Sequence, residues 1–221
     1  IGMTGQACQS LERIYCHESI SEPFTKELLA QLKVLSLTFT DDGAGDIAPL
    51  IFERQVETIQ TQVDDALARG ATCLLGGEPV QAGGIWYPPT LLTNVNHDML
   101  IMQEETFGPV IPVAIYGDVE EAVSLANDST FGLSAAVFSA DADAARGVAE
   151  RLQVGAISIN DASLTGIVND VEKNSFRFSG MGGSRMGPAG LTRFLRKRAL
   201  LVQTGEPAPV QLFSDTPQTE S

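Results

Sequence analysis

The chemistry in this chain begins at its first residues, IGMTGQACQSLERIY, where Cys8 stands directly behind Gly5-Gln6-Ala7. A thiol becomes a nucleophile where its thiolate is favoured, at a helix N-terminus or beside a cation. Gly5 lets the backbone turn tightly just ahead of it, and N–H groups near such a turn can receive a developing oxyanion. Taken alone, Cys8 still reads more readily as a small buried hydrophobe, the usual fate of a free cysteine in a soluble domain. A second group, Ser158, Asn160 and Asp161, lies at the end of an apolar run. Strand alternation puts Ser158 and Asn160 on one face, and strand ends in open α/β folds border ligand crevices. The plain alternative for Asn160 is a residue that turns the chain at the end of a strand. His17 and His97 match no nucleophile–base spacing and read as surface or loop histidines.

The elements that must position these residues alternate between strand-like and helix-like, the pattern of an α/β domain. ERIYCHE (Glu12–Glu18) reads as a short strand. Ser21 is placed to cap a helix with Phe24, Leu28, Leu32 and Leu35 on one stripe. A turn-rich loop, Thr38–Pro49, precedes a second helix, with Phe52, Val56, Ile59, Val63 and Leu67 expected on its buried face and Gly70 at its end. Ala71–Gly77 reads as a strand, and Gly84–Val95 as extended chain broken by two prolines. Gly108–Gly117 is apolar and β-branched, a buried strand. Asp118 and Glu121 open a helix with Val119, Ala122, Val123 and Ala126 on one face. Leu133–Ala140 and Ala156–Asp161 are further strands, separated by a helix that turns Ala145, Val148, Ala149 and Leu152 inward. Such units predict an α/β fold with a mostly parallel twisted sheet and crossover helices. Ser179–Leu191 is glycine-rich and carries Arg185. TRFLRKR then gives a short basic helix that feeds an apolar strand, Ala199–Val202. The domain reading is an α/β unit over 1–198, a strand over 199–205 and a flexible polar tail over 206–221.

Composition narrows the functional classes. With 28 acidic against 14 basic residues the net charge is −14, which argues against general nucleic-acid binding, since that requires basic surface to release counterions. No run is long and apolar enough to span a membrane, and no basic-then-apolar leader opens the chain. Three cysteines, Cys8, Cys16 and Cys73, form neither a metal spacing nor a disulfide framework. A reduced, cytoplasmic setting is the expectation. The chain starts at Ile1 rather than Met, which reads as a fragment, a processed chain or an expression product.

Three motifs in order carry a resemblance. GQACQSLERIY resembles the nucleophile segment of the aldehyde dehydrogenase superfamily, with Gly5, Gln6, Cys8 and Arg13 on matching positions. QEETFGPVIPV (Gln103–Val113) resembles the family's Glu-Glu-x-Phe-Gly-Pro-Val motif, and LANDSTFGLSAAVFSAD (Leu125–Asp141) its Ala-Asn-Asp/Ser-x-x-Tyr/Phe-Gly-Leu stretch. The resemblance runs over most of Gly5–Val202. It implies that Cys8 is the nucleophile, that Glu105 holds the hydroxyls of the nicotinamide ribose, and that Phe107 packs beside the nicotinamide of NAD or NADP. A carboxylate suits that role because it accepts two directed hydrogen bonds from a vicinal diol. Outside the motif, Glu105 would be a surface carboxylate and Phe107 a core aromatic. The same resemblance places Asn160 and Asp161 at the border of the aldehyde pocket and the glycine-rich segment at the substrate entrance. That segment departs from the family pattern: the usual Pro-Phe-Gly-Gly is not recognisable in NSFRFSG, and Arg185 is displaced by two residues.

The resulting expectation is the catalytic portion of an NAD(P)-dependent aldehyde dehydrogenase. It oxidises an aldehyde to a carboxylic acid through a thiohemiacetal and a thioester on Cys8. The dinucleotide domain, the water-activating glutamate and the oxyanion asparagine would precede Cys8, so the isolated chain is expected to have little activity. The strand over 199–205 implies a homo-oligomer. Two alternatives remain at this point: a non-catalytic assembly fragment and a thiol-dependent esterase.

Overall fold

The computed structural model describes residues 1–39, 45–81, 84–181, 183 and 186–205. Part of the Thr38–Pro49 loop, Arg185 and the tail over 206–221 lie outside the described residues. A 3₁₀ turn, Gly2–Gly5, leads through an irregular stretch to β1 (Ile14–His17) and α1 (Glu18–Lys33). There follow α2 (Arg54–Ala68), β2 (Thr72–Leu75), β3 (Val80–Gln81), β4 (Ile85–Trp86), β5 (Thr90–Thr93), α3 (Leu100–Gln103) and β6 (Val110–Tyr116). The second half contains α4 (Val119–Asn127), β7 (Phe131–Gly132), β8 (Ser134–Val137), α5 (Ala142–Ala149), β9 (Ala156–Ile159), α6 (Leu164–Ile167), β10 (Phe176–Arg177) and α7 (Ala189–Thr192).

The main sheet has the order β1-β6-β5-β2. Its first three strands are parallel, and β2 joins antiparallel to β5. Alternation along β6 explains the layering, because successive side chains leave on opposite faces. Val110 and Ala114 pack with Leu92 of β5 against Ile59, Val63 and Ala66 of α2. Ile111 and Val113 pack with Leu91 and Cys16 against Leu32 of α1, with Phe24, Leu28 and Leu35 at its margin. Two helices thus cover two faces of one sheet, as parallel strands require. β8 and β9 form a separate parallel pair, crossed over by α5, which buries Ala145 and Ala149.

Several expectations hold: the α/β class, the predominance of parallel pairing, the stripe of α1, the Asp118 cap of α4 and the end of α2 at Gly70, which takes φ +99°. Others need correction. The N-cap of α1 is His17, whose Nδ1 accepts from Ser19 N at 3.2 Å; Ser21 sits one turn inside and donates Oγ to the Glu18 carbonyl. Phe52 precedes α2 and is 62% exposed, and Leu67 is 41% exposed. A stride of four overshoots a helical turn of about 3.6 residues, so the buried stripe runs Ile59, Val63, Ala66 and drifts off Leu67. The C-terminal helix covers Ala189–Thr192 and leaves the basic residues beyond it. Over 199–205 no strand pairs among the described residues, and Leu200 and Leu201 are 86% and 91% exposed.

Ile59 is fully buried, and its tip lies where a Cβ on Gly108 would fall. Truncating Ile59 to alanine leaves a cavity under the 104–109 loop. It is expected to cost about 2–5 kcal/mol, read as a lower urea midpoint with an unchanged slope.

Candidate active site

The turn that carries Cys8 is built from backbone that most residues avoid. Met3, Thr4 and Gly5 take φ of 51°, 60° and 76°. Gln6 N then donates to the Met3 carbonyl, and Ser10 N to the Ala7 carbonyl at 2.9 Å, so Cys8 rides on a tight turn. Side chains pin the turn to the segment ahead of α2. Ala48 N donates to Thr4 Oγ1 at 3.0 Å, Ile51 N donates to Gln6 Oε1 at 2.9 Å, and Gln6 Nε2 donates to the Pro49 carbonyl at 3.4 Å. Ser10 Oγ donates to the Gly2 carbonyl at 3.1 Å. The Cys8 thiol is exposed, unlike Cys16 in the core. A turn, and no helix N-terminus, presents it.

The Glu105–Phe107 segment lies against this turn. A Cβ on Gly5 would come within 2.0 Å of the Gly108 carbonyl oxygen, so the two backbones touch where no side chain fits. One carboxylate ties the segments more directly. Glu12 accepts from Thr106 N at 2.8 Å through one oxygen and from Phe107 N at 3.2 Å through the other. Burial raises the Glu12 pKa, assisted by the neighbouring Glu105 charge, while the two backbone donors pull it back; burial is the larger effect. From α2, Gln55 Nε2 donates to the Thr106 carbonyl at 2.6 Å and Gln62 Nε2 to the Glu105 carbonyl at 3.3 Å. Thr106 Oγ1 donates to Gln62 Oε1 at 2.8 Å inside the core. The loop backbone is therefore fixed, with Phe107 half-buried at φ 51°. The Glu105 side chain is left exposed, and its carboxylate makes no hydrogen bond among the described residues. Such a carboxylate fits a ligand that brings hydroxyls.

A cavity of about 260 Å³ opens beside Cys8. Its wall includes Leu133, Ser134 and Ala156 at the starts of β8 and β9, Thr165 of α6, Lys173, Ser175, the Ser179–Met181 part of the glycine-rich segment, and Arg193. Asn160 and Asp161 lie at the opposite end of β9 and do not line it. Asn160, at φ 57°, donates Nδ2 to the Ser139 carbonyl and accepts from Ser139 N, both at 2.9 Å. Its amide is thereby spent on the β8–α5 connection. Asp161 Oδ1 accepts from Ser163 N and Oγ, and those bonds lower its pKa. Ser158, which shares a face with Asn160, is buried with an unpartnered hydroxyl. Arg13 braces β1: its guanidinium donates to Tyr15 Oη and to the carbonyls of Met102 and Ala126. His97 is a loop histidine, as expected, between β5 and α3, and it is largely enclosed. Its side chain is 12% exposed, held by Tyr15 Oη, the Asp128 carbonyl and the Asp128 carboxylate.

Sequence reasoning passed over Glu12, Gln55, Gln62, Lys173 and Arg193. Replacing Glu12 by alanine strands two loop N–H groups and is expected to cost about 1–3 kcal/mol for each group left unpaired. Exchange of the Thr106 and Phe107 amides should rise selectively. Because the folded-state pKa is raised above 4.5, the stability Glu12 contributes is fullest below that value and shrinks as pH rises through the raised one. The lead of the parent over Glu12→Ala in urea melts should therefore be larger near pH 4 than at neutral pH.

The aldehyde dehydrogenase family model matches residues 1–200. Succinate semialdehyde dehydrogenase [NAD(P)+] Sad of Escherichia coli is 40% identical over 157 residues, 71% of this chain and 34% of that protein. Among solved structures, the aldehyde dehydrogenase PutA of Anabaena variabilis superimposes with a TM-score of 0.86 at 51% identity, over 93% of this chain and 44% of that one. Betaine aldehyde dehydrogenase of Staphylococcus aureus in complex with NAD+ gives 0.83 at 34% identity, over 96% of this chain and 42% of that one. The chain thus spans between a third and a half of the proteins it matches. Its three motifs, its α/β fold and the agreement along its first 200 residues lead to one conclusion: the chain belongs to the aldehyde dehydrogenase family.

Proposed function

We propose that this chain supplies the nucleophile and part of the nicotinamide site of an NAD(P)-dependent aldehyde dehydrogenase. One observation carries the reading. The exposed thiol of Cys8 sits on a rigid turn whose glycine touches Gly108, while Glu12 holds the backbone of Thr106 and Phe107. The nucleophile segment and the Glu105–Phe107 segment are thereby fixed as one unit. Such preorganisation lowers the entropic cost of bringing reacting groups together.

In this reading the Cys8 thiolate attacks the aldehyde carbon to give a thiohemiacetal. N–H groups of the surrounding turn would receive the developing oxyanion. A nicotinamide held beside Phe107 would supply the hydride acceptor, and the loss of hydride and a proton would turn the thiohemiacetal on Cys8 into a thioester. Water then displaces Cys8 and releases the carboxylic acid and the thiol. Glu105 would hold ribose hydroxyls and Phe107 would flank the ring. Sad carries NAD(P)+ in its name and the S. aureus neighbour is an NAD+ complex, which supports either dinucleotide here. Asp161, bonded to Ser163, would steady the start of α6, whose Thr165 lines the cavity, and Asn160 would border the substrate path from the side of the β8–α5 connection. Among the described residues no helix is long and apolar enough to cross a membrane, and no three His, Cys, Asp or Glu side chains converge as a metal ion requires.

In the intact protein, Cys8→Ser should lower aldehyde-dependent NAD(P)H formation by at least about a thousandfold. Residues 1–221 expressed alone should form little NAD(P)H, because they span between a third and a half of the length of the dehydrogenases they match. Unimpaired turnover in Cys8→Ser would sink the reading. The exposed Leu200, Leu201 and Val202 support a strand that pairs between copies. Leu201→Asp should shift the intact protein to a smaller species in light scattering.

A further inference from the structure

The loop that presents Glu105 and Phe107 hangs on one titratable group. Glu12 offers one carboxylate oxygen to Thr106 N at 2.8 Å and the other to Phe107 N at 3.2 Å. We infer that Glu12 is a positioning residue for the dinucleotide: its carboxylate form holds Glu105 and Phe107 in place for the nicotinamide ribose and ring, and its protonated form lets go of one of the two amides. The inference rests on the reading of Glu105 and Phe107 as part of the nicotinamide site and adds proton control of that site.

An ionised carboxylate only accepts hydrogen bonds, so each oxygen can serve one amide. A carboxylic acid turns one of those oxygens into an O–H donor, which would then face an N–H. One of the two bonds is lost. The loss falls where the backbone can least absorb it, because Phe107 sits at φ 51°, a conformation that a non-glycine residue keeps only where its surroundings enforce it. The other restraints on the loop end elsewhere. Gln55 reaches the Thr106 carbonyl, Gln62 reaches the Glu105 carbonyl, and Thr106 Oγ1 reaches Gln62. Among the described residues, no other group accepts from the Thr106 and Phe107 amides. The Glu105 side chain is exposed, so its aim is as good as the hold on its backbone.

The surroundings of Glu12 put its titration within reach. Burial raises its pKa above 4.5 and the Glu105 charge adds to the rise, against the pull of the two amides. Arg13, next in sequence, turns its guanidinium to Tyr15 Oη and to the carbonyls of Met102 and Ala126. Gln55 and Gln62 on α2 are neutral, and Cys8 on the preceding turn is exposed. Two opposite pH trends result. The fold as a whole favours the protonated form, because burial penalises the charge, whereas the loop is held best by the carboxylate. Affinity for the dinucleotide therefore rises with pH through the Glu12 pKa, while the contribution of Glu12 to global stability shrinks. By linkage, a dinucleotide that binds the carboxylate form better drives a proton off Glu12.

The test measures the dissociation constant of the dinucleotide that the intact protein reduces, from about pH 5 upward, in a Cys8→Ser background that removes the thiol as a proton source. The constant should fall as pH rises through the Glu12 pKa and then level off. Glu12→Gln keeps a single acceptor oxygen at every pH; it should weaken binding about tenfold at neutral pH and flatten the profile. With Cys8 restored, Glu12→Gln should raise KM for the dinucleotide about tenfold and KM for the aldehyde by less than about twofold. If Glu12→Gln does not fold, hydrogen exchange of the parent decides. Corrected for its intrinsic pH dependence, exchange in the peptide spanning Thr106 and Phe107 should slow as pH rises over the same range. A profile that Glu12→Gln leaves unchanged, or loop exchange indifferent to pH, overturns the inference. If Glu105→Gln leaves dinucleotide affinity unaltered, the nicotinamide reading has failed instead, and the two failures are thus told apart.

Discussion

The structure of the site depends on a single half-buried carboxylate that accepts two backbone N–H bonds. Glu12 stands just ahead of the strand that follows the Cys8 turn, and its two oxygens meet consecutive amides nearly a hundred residues further along the chain. A loop with the backbone strain of Thr106-Phe107-Gly108 does not hold its shape unaided, since a non-glycine residue at positive φ persists only where its surroundings over-determine it. Glu12 supplies half of that constraint and the glutamines of α2 supply the other half. Burial of the carboxylate works against its charge, yet leaving the two amides without acceptors would cost more. The balance explains why an acidic residue occupies so enclosed a position.

Much of the architecture is legible because it follows from periodicity. The alternation of β6 assigns its residues to the two helices that cover the sheet, and the apolar spacing of α1 identifies its buried stripe. Errors arise where the apolar spacing runs ahead of the helix, as with Phe52, where a stride of four drifts off the buried stripe, as with Leu67, or where a side-chain cap competes, as with His17 and Ser21. The 199–205 segment shows the opposite problem. Its apolar pattern reads as a strand, but a strand needs an edge to pair with, and within this chain it finds none.

The candidate site divides in the same way. Cys8, Glu105 and Phe107 are visible because each belongs to a short contiguous motif. Glu12 was invisible because its partners are amides, which leave no mark on residue type. Asn160 is ambiguous in the contrary sense: a polar residue at a strand end invites a ligand reading, while in the fold its amide bonds Ser139. Lys173 comes from a stretch the sequence shows only as polar and Arg193 from the expected basic helix, and only the folded chain brings them to one cavity with Cys8.

The contact between Gly5 and Gly108 also bears on how such proteins can be recombined. The space denied to a side chain at one position is filled by the carbonyl of the other, so the two segments form a single shape shared across a long stretch of chain. A chimera whose crossover falls between them inherits two halves shaped by different parents, and would need both backbones to match at atomic spacing. Crossovers placed after Gly108 keep the pair together, and so define the natural module boundary for recombining this chain.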